Sequence, residues 1–174
     1  MEPEILSHAG RSQAIRAALD ELAVQGEVER GAVFTRAEVV DAILDLARYT
    51  ADQPLHTRRL LEPSLGAGDF FLAALDRLLA AFSGHGGAPP QALDALRHAL
   101  CGVEIHSASL VTTRARARAR LLAWGAAPSH ADALCDAWLR RDDFLLAPLV
   151  GDFDVVVGNP PYVRQERIPA ALLA

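Results

Sequence analysis

The chain has 174 residues, of which 51% are hydrophobic and 22% charged, so it is long enough for one folded domain and too apolar to be a disordered chain. Its formal net charge is -5, and every one of its 17 basic residues is an arginine. An acidic total excludes nucleic-acid binding that depends mainly on the bulk charge of the domain, but it is compatible with a local basic groove.

The N-terminal sequence and the cysteines indicate the compartment. MEPEILSHAG lacks the basic start and apolar core of a signal peptide, and no uncharged apolar run reaches the length of a membrane span. Cys101 and Cys135 have neither metal-binding nor CxxC spacing, and we interpret them as two buried thiols in a reducing compartment. We therefore expect a soluble, cytoplasmic protein with no metal site and no membrane partner.

The first two predicted elements are helices. Apolar residues recur at helical spacing over residues 11–25, and we assign residues 1–30 to an N-terminal helical segment. GAVFT interrupts this pattern, and a second helix is predicted over residues 36–49. Thr35 is placed to act as its N-cap, with Glu38 three residues further on, as a capping box requires.

From residue 58 onward, strand and helix patterns alternate. RRLLEPSLGAGDFFLAALDRLLAAF indicates a short apolar strand, a glycine turn and an amphipathic helix. Further helices are predicted over residues 91–99, 107–124 and 129–140, with strands at LCGVEI, at the short segment RDDFLL and at DFDVVV. The consecutive valines of the last strand are typical of a strand buried on both faces. This alternation predicts an α/β fold with a parallel sheet and right-handed crossovers.

One run of charge stands out in the predicted helix over residues 107–124. Its members are Arg114, Arg116, Arg118 and Arg120. On a helix they form two i,i+4 pairs on neighbouring faces, and we interpret them as a solvated surface rather than as a DNA contact.

Acidic residues are predicted at the ends of three strands. Glu62 ends the first strand, and Gly66 and Gly68 in the turn that follows allow a ligand to approach the backbone closely. The spacing is not GxGxxG and no lysine follows, which excludes a P-loop. Glu104 ends the second strand, where doubly wound folds bind ribose hydroxyls. A tight structural turn and a solvent-facing acid are the alternatives when each motif is taken alone.

Asp143 and Phe144 follow the third strand. An acid beside an aromatic suits an adenine ring, which needs an acceptor for its amino group and an apolar wall, although an ordinary loop pair is the alternative. Because ligands of such sheets bind at the carboxyl ends of the strands, the three acids together predict an adenosine-containing cofactor without a phosphate site. His106 is the one histidine near this edge, and we expect it to cap the next helix.

The sequence Asn159-Pro160-Pro161-Tyr162 follows the last strand. The exocyclic amino group of a base is a poor nucleophile, because its lone pair is delocalised into the ring. The Asn159 side-chain oxygen and the Pro160 carbonyl can accept its two hydrogens and turn the lone pair toward an electrophile, while the prolines stiffen the loop. Tyr162 offers a face on which a flipped-out base can stack. A plain proline turn is the alternative.

With these motifs in this order, the chain resembles the S-adenosylmethionine-dependent DNA adenine-N6 methyltransferases of bacterial restriction–modification systems, in their gamma-type order. GAVFT resembles the N-terminal cofactor motif, with Arg36 where the family usually has proline. LEPSLGAGDFF, GVEI, RDDFL and GNPPY resemble motifs I to IV. The resemblance covers roughly residues 31–162 and implies a class I methyltransferase fold, a Rossmann-like parallel sheet with flanking helices.

The resemblance also implies a cofactor, S-adenosyl-L-methionine, and a partner, double-stranded DNA with the target adenine flipped out. Its methionine part would be held near the N-terminal motif and the glycine turn, its ribose by Glu104, and its adenine by Asp143 and Phe144. The implied cofactor-binding residues are Phe34, Thr35, Glu62, Pro63, Gly66, Gly68, Glu104, Ile105, Asp143 and Phe144. The residues implied to handle the target base are Asn159, Pro160, Pro161 and Tyr162.

The chain departs from the family pattern after Tyr162. The family continues with further strands and then normally has a target-recognition domain, whereas here only VRQERIPAALLA follows. We assign residues 31–174 to a truncated cofactor-binding and catalytic domain, the N-terminal part of a longer enzyme. We expect a sheet that is incomplete on its C-terminal side, exposed strand edges that favour a second chain, and weak cofactor binding without selection of a DNA site.

Two other interpretations remain open. Related motifs occur in enzymes that methylate glutamine side chains of translation release factors or RNA bases, and the GAVFT segment favours the DNA class over these. The second interpretation is a non-catalytic cofactor-binding or interaction subunit, or a remnant.

Overall fold

The computed structural model describes residues 35–160, and the fold is presented for these residues. The predicted helix over residues 11–25 and the candidate site residues Phe34, Pro161 and Tyr162 lie outside them. The described strands are β1 (Leu60–Glu62), β2 (Leu100–Glu104), β3 (Leu139–Arg141) and β4 (Val155–Val156). The described helices are α1 (Ala37–Leu46), α2 (Asp69–Gly84), α3 (Ala92–Leu96), α4 (Ser107–Trp124) and α5 (Pro128–Trp138).

All strand pairings are parallel, and the strand order is β3-β2-β1-β4. The sheet lies among helices, so the predicted α/β, Rossmann-like class is confirmed. In the register, Glu62 lies opposite Gly102, and Glu104 lies opposite Arg141. This alignment brings the carboxyl ends of β1, β2 and β3 to one edge of the sheet, where the predicted ligand site belongs.

The core lies between one face of the sheet and the helices. Leu60, Leu100 and Val155 are paired across the sheet and belong to the same buried cluster as the helices. Fully burying a large apolar side chain contributes about 1.5–3 kcal/mol. Trp138 shows how polar atoms are accommodated there, because its indole N–H donates to the Leu96 carbonyl at 2.9 Å.

Residues on the opposite face of the sheet are less uniformly covered. Leu61, Cys101 and Val156 alternate to that face, and the Val156 side chain is 60% exposed although Val155 is buried. The prediction that the last strand is buried on both faces is therefore wrong, because β4 contributes to the helix-covered core through one face only. Cys135 is buried as expected, and burial raises the pKa of its thiol to about 11, whereas Cys101 is only half-buried.

The start of α1 differs from the prediction. Its N-cap is Arg36 and no side chain caps it, so the capping box from Thr35 to Glu38 is not formed. The Thr35 hydroxyl instead accepts a hydrogen bond from the Asn159 side chain. At the other end the helix stops at Leu46, because Arg48 adopts a φ of 53° and turns the chain.

Arg77 of α2 holds α1 in place. Its guanidinium donates to Asp41 at 3.0 Å, to Asp45 at 2.6 Å and to the Tyr49 carbonyl at 3.1 Å. The Tyr49 side chain is itself completely buried. This three-way contact fixes α1 and the segment that follows it against α2.

The four arginines of the charge run bind neighbouring elements. Their contacts are Arg114–Asp136 (2.8 Å), Arg118–Asp132 (2.6 Å), Arg120–Asp76 (2.9 Å) and Arg116 to the Ala67 carbonyl (2.7 Å). The two predicted i,i+4 pairs thus face α5 on one side and α2 with its preceding turn on the other. Such partly exposed ion pairs contribute about 0–1 kcal/mol each, so their main effect is to orient the helices.

The bounds of α4 match the prediction. The helix α3 is shorter than the helix predicted over residues 91–99, and β3 begins at Leu139, inside the helix predicted over residues 129–140. No described helix is long and apolar enough to cross a bilayer.

The turn before α2 gives the first prediction, the cost of a side chain at Gly68. Its φ is 80°, and an added Cβ would lie 2.7 Å from both Cγ2 and Oγ1 of the buried Thr113. We expect Gly68→Ala to lower the free energy of unfolding by about 2–4 kcal/mol, from backbone strain plus the clash. Denaturant-induced unfolding measures this loss.

Gly66→Ala is the matched control for this prediction. The φ of Gly66 is 51°, but an added Cβ would meet nothing within 4 Å. It should therefore cost only the backbone strain, roughly 1–2 kcal/mol. Equal losses in the two variants would contradict the claim that close packing on Thr113 requires glycine at position 68.

Candidate functional site

Three acidic residues meet at the carboxyl edge of the sheet, as the sequence predicts. Glu62 and Glu104 are the last residues of β1 and β2, and Asp143 follows β3 by two residues. Glu62 and Glu104 are only 2% and 4% exposed. Acids so deeply buried are not ordinary solvent-facing strand ends, and each needs a partner.

Glu104 finds its partners in the backbone. Its Oε2 accepts the Gly66 N–H at 2.7 Å, and its Oε1 accepts the His106 N–H at 2.8 Å. Hydrogen bonds to a charged group contribute about 1.5–3 kcal/mol each. Glu104 therefore fixes the glycine turn, and its oxygens keep further lone pairs for hydroxyl donors. His106 occupies the N-cap position of α4, but its side chain makes no capping hydrogen bond, contrary to expectation.

The glycine turn is also held by a residue that the sequence reasoning missed. Leu65 donates its N–H to the Val103 carbonyl at 3.1 Å, and its side chain fills the space above Gly102. A Cβ on Gly102 would lie 2.6 Å from Leu65 Cδ2. A glycine inside a strand often marks such a close approach, and this signal in LCGVEI was available in the sequence.

In the described part of the chain, the carboxyl of Glu62, unlike that of Glu104, lacks a hydrogen-bond partner on one of its oxygens. It has a hydrogen bond from the Phe71 backbone, but its Oε2 is buried without any partner. Burial raises the pKa of the Glu62 carboxyl well above its ordinary value, and the negative charges of Asp69 and Glu104 raise it further. A buried carboxyl oxygen without a partner costs about 1–3 kcal/mol, which a cationic or hydrogen-bond-donating ligand would relieve.

Asp143 presents the second unpaired oxygen at this edge. Its Oδ1 accepts the Leu145 N–H at 3.1 Å, whereas its Oδ2 is buried without a partner. The neighbouring Phe144 side chain is 40% exposed. Among the described residues, an oxygen of Asp143 is thus left unpaired next to an accessible aromatic side chain, and the binding of an adenine ring there stays a prediction.

The loop after β4 reaches the same region. Gly158 lies against the end of β1, since a Cβ on it would be 3.5 Å from Pro63 Cδ and 3.6 Å from Glu62 Cγ. The Asn159 Nδ2 donates to the Thr35 hydroxyl at 3.2 Å. This hydrogen bond brings Thr35 and Asn159 together, although they lie 124 residues apart in the sequence. The half-buried Ile105 takes part through its carbonyl, which accepts the Arg141 Nε–H at 3.5 Å.

Arg59, which the sequence did not single out, places β4 beside β1. Its N–H donates to Asp154 at 2.7 Å, and its guanidinium donates to the Val150 and Asp152 carbonyls, each at 3.0 Å. The guanidinium also lies 4.6 Å from the centre of the Phe153 ring. This anchor sets the position from which the Asn159 loop begins.

The arrangement fits S-adenosylmethionine by the chemistry of its groups. In the cofactor, the ammonium and the sulfonium are cations, and the ribose hydroxyls and the adenine amino group are donors, whereas the carboxylate of its methionine part is an acceptor. The site offers the unpaired oxygens of Glu62 and Asp143, and open space above Gly66. Within residues 35–160, no group of three or more His, Cys, Asp or Glu side chains is arranged to hold a metal ion.

Comparison with known proteins also indicates a methyltransferase. Residues 104–172 match the family described as Eco57I restriction-modification methylase. The chain is 54% identical over 163 residues to the type II methyltransferase M.PaeR7I of Pseudomonas aeruginosa, and 51% identical over 146 residues to M.XhoI of Xanthomonas vasicola. It is 38% identical over 147 residues to M.BstVI of Geobacillus stearothermophilus.

By sequence, the chain is similar to type II restriction–modification methyltransferases over most of its own length. These matches cover 92%, 84% and 82% of the chain, but only 28%, 27% and 26% of the three relatives. The chain therefore spans about a quarter of the length of the curated methyltransferases that it matches.

The unpaired Oε2 of Glu62 gives a prediction about stability and pH. Because folded Glu62 keeps its proton to higher pH than the unfolded chain does, the folded state loses stability as pH rises above the ordinary glutamate pKa of about 4.3. Glu62→Gln removes this titration. The variant should match the wild type near pH ~4 and exceed its free energy of unfolding by about 1–3 kcal/mol near pH ~7.

Chemical denaturation across this pH range measures the difference. Asp136→Asn is the control, because it changes an acid in an exposed ion pair and should alter stability by less than about 1 kcal/mol. A Glu62→Gln variant that is less stable than the wild type at neutral pH would show that the carboxylate has a stabilising partner.

Proposed function

We propose that this chain carries the S-adenosylmethionine site and the target-base loop of a gamma-type DNA adenine-N6 methyltransferase. The observation that carries the proposal is the convergence, at one sheet edge, of two unpaired buried carboxyl oxygens with the Asn159 loop. Similarity to type II restriction–modification methyltransferases supports it.

The cofactor-binding roles follow the chemistry of each end of the site. Glu62 takes the cationic end of the methionine part, with Phe34, Thr35, Pro63 and the two glycines of the turn around it. Glu104 and Ile105 lie at the ribose, and Asp143 with Phe144 at the adenine. When bound, the cofactor supplies a methyl group on a cationic sulfur, which leaves as a neutral thioether.

Asn159 and Pro160 act on the target amino group. Because the Asn159 Nδ2 donates to Thr35, its Oδ1 remains available as an acceptor. Oδ1 and the Pro160 carbonyl accept the two hydrogens of adenine N6, which directs the nitrogen lone pair toward the methyl carbon. With the cofactor bound, N6 would gain the methyl group as the neutral thioether leaves, and one of the two N6 hydrogens would pass to solvent as a proton. Pro161 stiffens the loop, and stacking of the base on Tyr162 contributes about 1–3 kcal/mol.

Double-stranded DNA is the proposed substrate. The arginines of α4 are bonded to α2, α5 and the glycine turn, so they do not supply the DNA grip. We propose that residues 31–174 form the cofactor and catalytic portion, after a helical segment over residues 1–30, and that a further region or a second chain supplies target recognition. Methylation of glutamine or an RNA base uses a similar acceptor pair and is distinguished below.

Calorimetric titration of S-adenosylmethionine into the chain tests the cofactor site. We expect binding that weakens at least ~10-fold in Glu104→Ala and in Asp143→Ala, since each loses a hydrogen bond to the ligand or to the turn that surrounds it. Asp136→Ala, which is remote from the edge, should bind like the wild type. Equal affinity in all four proteins, or no binding by a folded wild type, would refute the assignment.

The reaction is tested with the protein as its host expresses it. Chromosomal Asn159→Ala should lower N6-methyladenine at one recurring DNA sequence by ~100-fold or more, because one of the two acceptors for the amino group is removed. Mass spectrometry of digested DNA measures the loss, and Thr112→Val, on the exposed side of α4, is the control. Unchanged adenine methylation together with loss of methylglutamine or of an RNA mark would reverse the choice of substrate.

A further inference from the structure

A single hydrogen bond joins the residue before α1 to the loop after β4. The Asn159 Nδ2 donates to the Thr35 Oγ1 at 3.2 Å, across a sequence separation of 124 residues. Both residues are half-buried. Thr35 makes this contact instead of capping α1, whose N-cap is Arg36.

Both ends of this hydrogen bond are anchored. The segment at Thr35 leads directly into α1, which Arg77 fastens to α2 through Asp41 and Asp45. The loop at Asn159 follows β4, which Arg59 fastens to β1. The contact therefore joins two fixed elements, so it can hold a side chain in one orientation.

The orientation of the Asn159 amide decides whether it can act on an amino group. The carbonyl end of an asparagine amide accepts hydrogen bonds, and the NH₂ end only donates them. If the amide were flipped, two N–H donors would face the hydrogens of the target amine. If a hydroxyl donates its own hydrogen to another group, it can only accept a hydrogen bond from a neighbouring asparagine amide. It then binds the Nδ2 end of that amide.

We propose that Thr35 is a positioning residue for Asn159. Its oxygen holds Nδ2 and thereby presents Oδ1 to the target amino group, while its own hydrogen is donated to the carboxylate of the cofactor's methionine part. This inference rests on the proposed function. It also links the cofactor to the target base. The bound cofactor accepts the Thr35 hydrogen, Thr35 then orients the Asn159 amide, and this amide binds the target amino group.

The sequence supplies a clean probe, because Asn159 is the only asparagine in the chain. Selective ¹⁵N labelling of asparagine side chains gives one NH₂ pair in the NMR spectrum of this 18.6 kDa protein. We expect one of its two hydrogens to be shifted downfield and to exchange slowly with water. In Thr35→Val, which has nearly the same shape and no acceptor, the shift should disappear and exchange should be roughly fivefold faster.

Thr35→Ser restores the hydroxyl and should restore the shifted signal, a rescue that a merely space-filling role for Thr35 would not produce. Thr35→Ala also lacks the hydroxyl and replaces the valine variant if that variant does not fold. Thr112→Val is the control, because its hydroxyl donates within α4 to Ala108 at 3.0 Å. Identical amide signals in the wild type, Thr35→Val and Thr35→Ala would overturn the proposal.

Addition of S-adenosylmethionine to the same samples tests the link to the cofactor. In the wild type and Thr35→Ser, the held Nδ2 hydrogen should move further downfield, since a hydroxyl that donates becomes a better acceptor. Calorimetry on these samples reports the affinity separately. If the cofactor binds but the amide signal does not respond, the link fails while the cofactor site stands. If no variant binds it, the cofactor site and the link both fail, and the cofactor-free comparison still tests the Thr35 contact.

Discussion

The carboxylate of Glu104 accepts hydrogen bonds from the backbone of Gly66 and His106, and so joins three elements at one point. It ends β2, fixes the glycine turn that follows β1, and holds the first turn of α4. The glycine turn sets the start of α2. At that point Gly68 lies so close to Thr113 that a Cβ would clash with it. The geometry of the candidate site depends on this one buried acid, and a ligand hydroxyl would add to an anchor that is already formed.

The other two acids, Glu62 and Asp143, lower the stability of the fold and leave oxygens that a ligand can use. Glu62 and Asp143 each keep a buried oxygen without a partner, although arginines are abundant in the chain. Within the described residues, the arginines of α4 and Arg77 are bonded to other acids or to backbone carbonyls. These cations orient the helices, and they leave the unpaired oxygens of Glu62 and Asp143 available to a ligand. Such local instability is common at functional sites.

Local patterns predicted most of the fold. The bounds of α4, the acids at the ends of β1 and β2, and the parallel sheet all follow from short stretches of sequence whose periodicity and glycine placement are sufficient. The prediction failed where a distant residue decides the outcome. Thr35 has the local signature of a helix cap, but its hydroxyl accepts a hydrogen bond from Asn159 and does not cap α1. The strand β4 has only two paired residues, and Val156 is exposed.

The same limit applied to the site. The three strand-end acids could be predicted, because the carboxyl ends of parallel strands share one edge. The role of Arg59 could not be predicted from its own neighbours, since it depends on carbonyls about ninety residues away. Gly102 carries a local signal of a close approach, but only the structure shows that the approaching residue is Leu65. The unpaired state of Glu62 likewise becomes visible only when burial and partners are known together.

A crystal structure of the chain with S-adenosylhomocysteine, the demethylated cofactor, tests the central claim most directly. The account predicts the ligand ammonium within hydrogen-bond distance of Glu62 Oε2, the ribose hydroxyls at Glu104, and the adenine amino group at Asp143 Oδ2. A ligand bound elsewhere, or bound at this edge with both oxygens still unpaired, would contradict it.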